Sequence, residues 1–461
     1  MAAPSTPASS SLPAALPTGH PWRWVPSLYF AQGLPYVVVM TVSVVMYKRL
    51  GISNSDIALY TSWLYLPWVI KPLWSPVVEL YGTKRSWTLA TQFGVSAALV
   101  AVALALGSPS FFTVTLALLW AMALTSATHD IACDGFYMLG LPAHEAAAFV
   151  GVRSTSYRLA MITGQGAFVV LAGELEKLSP GEPRRAWTIT FAALAALMAA
   201  LAAYHRFALP RPAIDRPAGD VARAQVAAAD ATTGTAEPAP SFFSVFASFF
   251  QRPRIVATLA FLMLFRFAEA QLVKLVTPFL LDARADGGLG LTTSEVGVAY
   301  GTVGVLALTG GGLFGGWLAS RYGLRRLLWV FVIAIHLPDA IFVWLAYTQP
   351  SNLTLISAAV AVEQFGYGFG FTAYILFMMM VARGAQQTAH YAICTGFMAL
   401  GMMLPGMFAG ALQEKLGYPH FFLWVLLSTV PGFIVAALVR IDGDFGKKAA
   451  KEGEAGRRAT N

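Results

Sequence analysis

Ser75-Pro-Val-Val-Glu79-Leu-Tyr-Gly82-Thr-Lys84-Arg85 lies between two long apolar runs, and a second copy, Gly316-Trp-Leu-Ala-Ser320-Arg-Tyr-Gly323-Leu-Arg325-Arg326, lies between two others in the second half of the chain. The small, glycine and basic-pair positions align without a gap. Gly82 and Gly323 permit a tight turn between antiparallel helices. The pairs Lys84-Arg85 and Arg325-Arg326 mark the end of each turn that stays on the cytoplasmic side. Plain topology signals account for the basic pairs alone, but not for the aligned small residues. Glu79, answered by Ser320 in the second copy, makes any charge gate at these loops asymmetric. Each half also opens its second helix alike, with Ser55-Asp56-Ile57 against Ser294-Glu295-Val296. These read as N-caps followed by an acid at a helix N-terminus. The chain therefore reads as a six-helix unit duplicated in parallel.

Composition agrees. Hydrophobic residues are 57% of the 461-residue chain and charged residues 12%, about half the share of a soluble domain. The apolar runs are continuous rather than alternating, which selects helices over a barrel. Spans are expected near 25–47, 55–80, 87–107, 110–138, 149–173 and 187–206, then 254–281, 294–319, 326–347, 353–382, 386–412 and 419–440. Residues 1–24 read as a disordered cytoplasmic tail without a cleaved signal peptide, 25–206 as an N-terminal six-helix bundle and 207–253 as a cytoplasmic linker. A C-terminal bundle follows over 254–440 and a tail over 441–461. Phe242 to Phe250 is short and aromatic, as a segment lying on the membrane surface would be. With both termini in the cytoplasm about twenty basic residues fall inside and about seven outside, the direction the positive-inside rule requires. The net charge of +8 is spread over loops and tails, which argues against nucleic acid. Cys133 and Cys394 lie inside apolar runs, so no disulfide framework is expected.

Several stretches resemble the AmpG-like muropeptide permeases of the major facilitator superfamily. They are Gly33-Leu34-Pro35, Leu66-Pro-Trp-Val-Ile-Lys71-Pro-Leu-Trp74-Ser75-Pro76, Trp87 to Gln92, Ser126 to Asp134, Tyr157-Arg158-Leu159, Arg266-Phe-Ala-Glu269-Ala, Glu295-Val-Gly-Val and Glu363-Gln-Phe-Gly-Tyr-Gly. The resemblance implies an all-α membrane protein with the major facilitator fold, twelve transmembrane helices in two pseudo-symmetric six-helix bundles. It also implies proton-driven import of anhydro-muropeptides in a bacterial inner membrane. Related branches resemble importers of siderophores and of coenzyme A esters, which stay open as alternatives. A membrane receptor or enzyme is a minor one. The chain departs from the family pattern at His129 and at His336-Leu-Pro338-Asp339.

Ionisable groups inside spans cost about 2.5–3.5 kcal/mol each on insertion scales, so each is a functional candidate. Asp130 and Asp134 are one turn apart and share a helix face. Two such carboxylates do not both ionise easily in a dry site, which makes them candidates for proton coupling. Arg158 on the next span is the natural counter-charge. The bland alternative is a buried Asp–Arg pair that fixes packing. Arg266 and Glu269, three apart, can pair within one helix, and Lys274 follows on roughly the same side. They read as a cationic wall for substrate carboxylates, with Glu269 protonated in the cycle. Glu363 shares a face with Gly366 and Gly370, where glycines admit a close neighbour, and is a further proton candidate. Lys71, before the kinking Pro72, either binds an anion or pairs with Glu363 or Asp130. Gln32, Tyr157 and Gln364 complete the substrate-binding candidates. Glu79, Gly82, Lys84, Arg85, Gly323, Arg325 and Arg326 form the candidate gating loops. Membrane histidines such as His129, His336 and His390 are more often hydrogen-bonded packing groups than relays, and Asp339 carries no assigned role. No P-loop, zinc-spaced cluster or nucleophile elbow occurs. The expectation is a non-enzymatic monomer with no cofactor and no metal, whose partners are a small-molecule solute, a proton and the lipid bilayer.

Overall fold

The computed structural model describes residues 20–443 and 445, apart from 142, 213–214, 217–241 and 385–386. Most of the expected linker and both tails therefore lie outside the described residues. Among the described residues every regular element is helical. Ten apolar stretches are long enough to cross a membrane. In chain order they give α1 (Pro21–Arg49), α3 (Lys84–Ala105), α4 (Phe111–Gly140), α5 (Phe149–Leu178), α6 (Pro183–Ala208), α7 (Ile255–Leu281), α8 (Thr293–Tyr322), α9 (Leu324–Thr348) and α10 (Leu353–Ala382). The tenth, Ala389–Leu438, bends at Gly417, whose φ of 71° no helix interior adopts, and so comprises two spans, α11 (389–416) and α12 (418–438). The twelfth span, α2, runs in pieces: Asn54–Trp63, Leu66–Ile70, Lys71–Leu73 and Ser75–Leu80. Pro67, Pro72 and Pro76 lack the N–H that would continue one ladder through it. Large apolar side chains such as Leu104, Phe207, Val256 and Phe408 are exposed, as a surface facing lipid rather than water allows.

The turn glycines behave as the duplication predicts, Gly82 at φ 72° and Gly323 at φ 81°. The caps stand elsewhere than expected. Ser53, not Ser55, accepts the N–H of Asp56, and Thr292, not Ser294, accepts that of Glu295. Both shifts are two residues, so the two halves remain in register. An acid one turn in suits a cap three residues before it. That frees the hydroxyls of Ser55 and Ser294 for another use.

The use is at the end of the molecule opposite the chain termini, called here the far end. Ser55 Oγ donates to Glu414 of α11 (2.5 Å), and Ser294 Oγ donates to Glu174 of α5 (2.7 Å). Both bonds join one half of the chain to the other, and the duplication relates them. Asn54 adds donations to Gln413 (2.7 Å) and Tyr418 (3.0 Å), Lys48 pairs with Asp282 at 2.5 Å, and Thr293 donates to Glu176 at 2.7 Å. Beneath these ties lies one continuous apolar core built from both halves, from Leu34 and Val38 to Leu275, Tyr300 and Phe422. At the end bearing the termini, the tail end, the cores are separate. One is gathered around Phe261, Phe331 and Tyr374 and the other around Trp24, Phe136 and Tyr137. The two bundles share one apolar core at the far end and have separate cores at the tail end. The short helix Phe242–Phe250 docks at the tail end of the C-terminal bundle, with Phe249 beside His390 (5.6 Å) and Phe250 beside Phe397 (6.2 Å).

Close helix approach depends on missing side chains. A Cβ on Gly368 of α10 would sit 2.0 Å from the Leu308 carbonyl oxygen of α8, whereas one on Gly316 would meet nothing within 4 Å. Gly368→Val should therefore destabilise the protein by about 1–3 kcal/mol, and Gly316→Ala should not. Thermal unfolding of the two variants in detergent checks this.

Candidate functional site

Two groups of in-span charges face each other across the halves. In the N-terminal half the broken α2 turns Lys71 toward α4, where its Nζ lies 2.6 Å from Asp130 Oδ2. Gln32 of α1 donates to the other oxygen of the same carboxylate. Of the two partners considered for Lys71, the structure selects Asp130. One turn on, Asp134 accepts from Tyr29 Oη at 3.0 Å and from Arg153 Nη2 at 2.7 Å. The Arg153 guanidinium stacks on the rings of Tyr29 (4.2 Å) and Tyr137 (4.4 Å). These pairs are partly exposed. The side chains of Lys71 and Asp130 are 23% and 22% exposed, and those of Arg153 and Asp134 are 30% and 45%.

Arg158 is not the counter-charge of the aspartates. Five residues after Arg153, it points about 140° away around α5. It donates instead to Thr309 of α8 at 3.4 Å, across to the other half. Tyr157 sits near Tyr36 (6.4 Å), which packs edge-on against Trp68 (5.3 Å), so α1, α2 and α5 present an aromatic trio between them.

The C-terminal half differs. Arg266 and Glu269 do not pair as expected, because α7 breaks between them and the i,i+3 geometry is lost. One segment ends at Leu264, Arg266 sits at φ −107° and ψ 22°, and the next segment begins at Phe267. Arg266 donates to the Tyr367 hydroxyl and stacks over Phe371 at 4.7 Å. Glu269 turns to Glu363 and Asp339, the oxygens of all three lying within 4.8 Å of one another. Gln364 donates to Glu363 at 2.9 Å. Lys274 crosses to the N-terminal half, donating to Thr61 at 3.0 Å and lying 5.1 Å from the Tyr65 ring. Gly366 and Gly370 let α10 approach α9 closely, a Cβ on either meeting backbone of that helix within 2.5 Å.

The candidate gating loops make their described ties within one half. The N–H groups of Lys84 and Arg85 donate to Asp215 (2.7 and 3.0 Å), and Arg85 donates to the carbonyls of Arg206 and Leu209 at the end of α6 (2.5 and 3.3 Å). Arg325 and Arg326 are exposed. The Glu79 side chain lies outside the described residues. The ties that cross between halves lie at the far end and, inside the spans, at Arg158–Thr309 and Lys274–Thr61. His129 is buried and bonds Gln92 (3.0 Å), which bonds His205 (2.8 Å).

The sequence reading passed over Arg153 and named Asp339 without assigning it a role. Arg153 stands close to the start of its span, where a basic residue gives no signal beyond topology. Asp339 follows Pro338, and that pairing was the available signal, since a proline in a span frees backbone that only a protein-lined or wet site tolerates.

With this geometry in hand, the Major Facilitator Superfamily model matches residues 27–391. The chain belongs to the major facilitator superfamily. It is similar to the anhydromuropeptide permease of Escherichia coli strain K12, 28% identical over 426 residues that cover 90% of this chain and 78% of the relative. In fold it resembles a D-xylose-proton symporter (TM-score 0.67, 12% identity, 92% of this chain and 98% of that one) and the nucleoside transporter NupG (0.62, 16%, 91% and 98%). The protein is thus an AmpG-like, multi-pass secondary transporter of the inner membrane that handles a small-molecule solute.

The Lys71–Asp130 contact gives a local test. Lys71→Met alone leaves a half-compensated carboxylate, whereas Lys71→Met with Asp130→Asn leaves none. A double-mutant cycle read by unfolding in detergent should give a coupling of about 1–2 kcal/mol, with Lys71→Met less stable than the double variant.

Proposed function

We propose that this protein imports a peptidoglycan fragment of the anhydro-muropeptide type together with protons, by alternating access of its two bundles. What carries the reading is the likeness to the E. coli anhydromuropeptide permease along 90% of the chain. The geometry fits it. A sugar–peptide fragment offers rings and carboxylates. The inner faces of the bundles offer the aromatic trio Tyr36, Trp68 and Tyr157 and the cations Lys71, Arg153, Arg158 and Arg266. A substrate carboxylate that displaces Asp130 from Lys71, or Asp134 from Arg153, leaves an aspartate without its counter-charge. That aspartate then takes up a proton. Substrate and proton binding are linked in this way through the same two ion pairs.

With both termini in the cytoplasm, the fused far end is periplasmic and the separate tail end opens inward. The far-end ties Ser55–Glu414 and Ser294–Glu174 are then the contacts that break when the transporter faces outward. The cytoplasmic basic pairs, together with Glu79 and the turns at Gly82 and Gly323, would close the opposite end.

Uptake of labelled anhydro-muropeptide into cells lacking their own permease should fall to background with an uncoupler, and at least tenfold in Asp134→Asn. Uptake that survives the uncoupler removes the proton. A variant with Ser55→Cys and Glu414→Cys, bridged by a short bifunctional thiol reagent, should lose uptake and regain it when the bridge is cleaved.

A further inference from the structure

Glu269, Asp339 and Glu363 come from three different helices, α7, α9 and α10, and meet inside the C-terminal bundle. They are 2%, 1% and 2% exposed. Three ligand oxygens, one from each, lie within 4.8 Å of one another. Both oxygens of Asp339 and Oε2 of Glu269 have no hydrogen-bond partner, and these unpartnered oxygens belong to side chains whose ligand atoms converge on one point. A buried carboxylate without a partner is among the most unfavourable groups a protein can hold. Arg266, on the same helix as Glu269, supplies one positive charge and spends its Nη2 on Tyr367. It leaves the three acids well short of compensation.

We propose that Glu269, Asp339 and Glu363 form a binding site for one hard, oxygen-liganded cation. Carboxylate oxygens at about 2.3–2.6 Å around a central ion lie up to about 5 Å apart, which is the spacing of this cluster. Magnesium keeps several waters and dehydrates reluctantly, and a site closed to this degree has no open face for them. The fitting ions are of the size of sodium or calcium. The site is set apart from the partly exposed aspartates of the other half. Its occupancy does not depend on which solute is carried.

The full-length protein, purified in detergent without solute, should bind one labelled sodium or one labelled calcium per chain in equilibrium dialysis. Its melting temperature should rise saturably, by about 3 °C at a hundred times the dissociation constant, when choline chloride is exchanged for that cation's chloride at constant ionic strength. Potassium and magnesium should give no such rise. Asp339→Asn and Glu363→Gln should each lose the response, whatever their own melting temperatures. Whether sodium or calcium produces the response identifies the ion. Absence of binding to the wild-type chain by either ion overturns the site, as does a response undiminished in both variants. Neither result touches the cargo, which the uptake assay reads separately.

Discussion

A charge placed inside a membrane span must find an opposite charge or water, because the hydrocarbon offers neither. That constraint organises this molecule. Where a charge sits, the helix carrying it or facing it is often interrupted. The α2 span breaks around Lys71-Pro72 and so brings Lys71 to Asp130. The α7 span breaks at Arg266, and α9 breaks at Leu337–Asp339. Interrupted backbone at membrane depth is tolerated only where protein or water satisfies it. Breaks and charges therefore occur together, between the bundles at Lys71 and inside the C-terminal bundle at Asp339.

The same constraint explains how the halves are held. Apolar packing at the far end is continuous through both bundles, and the polar ties at its rim are single hydrogen bonds and ion pairs. Exposed pairs of this kind are worth about 0–1 kcal/mol each, so the rim sets register and orientation more than it adds strength. Because Ser55–Glu414 and Ser294–Glu174 are related by the duplication, the two contact lines, α2 with α11 and α5 with α8, can loosen together. A Cβ on Gly301 of α8 would lie 1.9 Å from the Gln165 carbonyl oxygen of α5, so that line closes backbone on backbone with little room for compromise.

Spans, duplication and the turns at Gly82 and Gly323 were legible because each rests on local signals: length, hydropathy and the need for positive φ. Partner choice was not. Arg158 and Arg153 differ in helix phase, and sequence separation alone does not say which faces α4. The Arg266–Glu269 pairing assumed a continuous helix that the structure interrupts. The caps fell two residues early because Ser53 and Thr292 compete with Ser55 and Ser294 as equally good cap residues, and tertiary contacts to Glu414 and Glu174 decide between them. Asp339 belongs with Glu269 and Glu363 only once three helices are packed, a fact of tertiary structure with no local trace.

The duplicated frame has therefore diverged where the chemistry lies. The N-terminal aspartates are compensated one to one, Asp130 by Lys71 and Asp134 by Arg153, and are partly exposed. The C-terminal acids are compensated by fewer cations than there are carboxylates and are closed off from water. The two halves, alike in frame, thus differ in how they compensate the charges they hold inside their spans, the first pairing each aspartate with its own cation and the second gathering three carboxylates at one place.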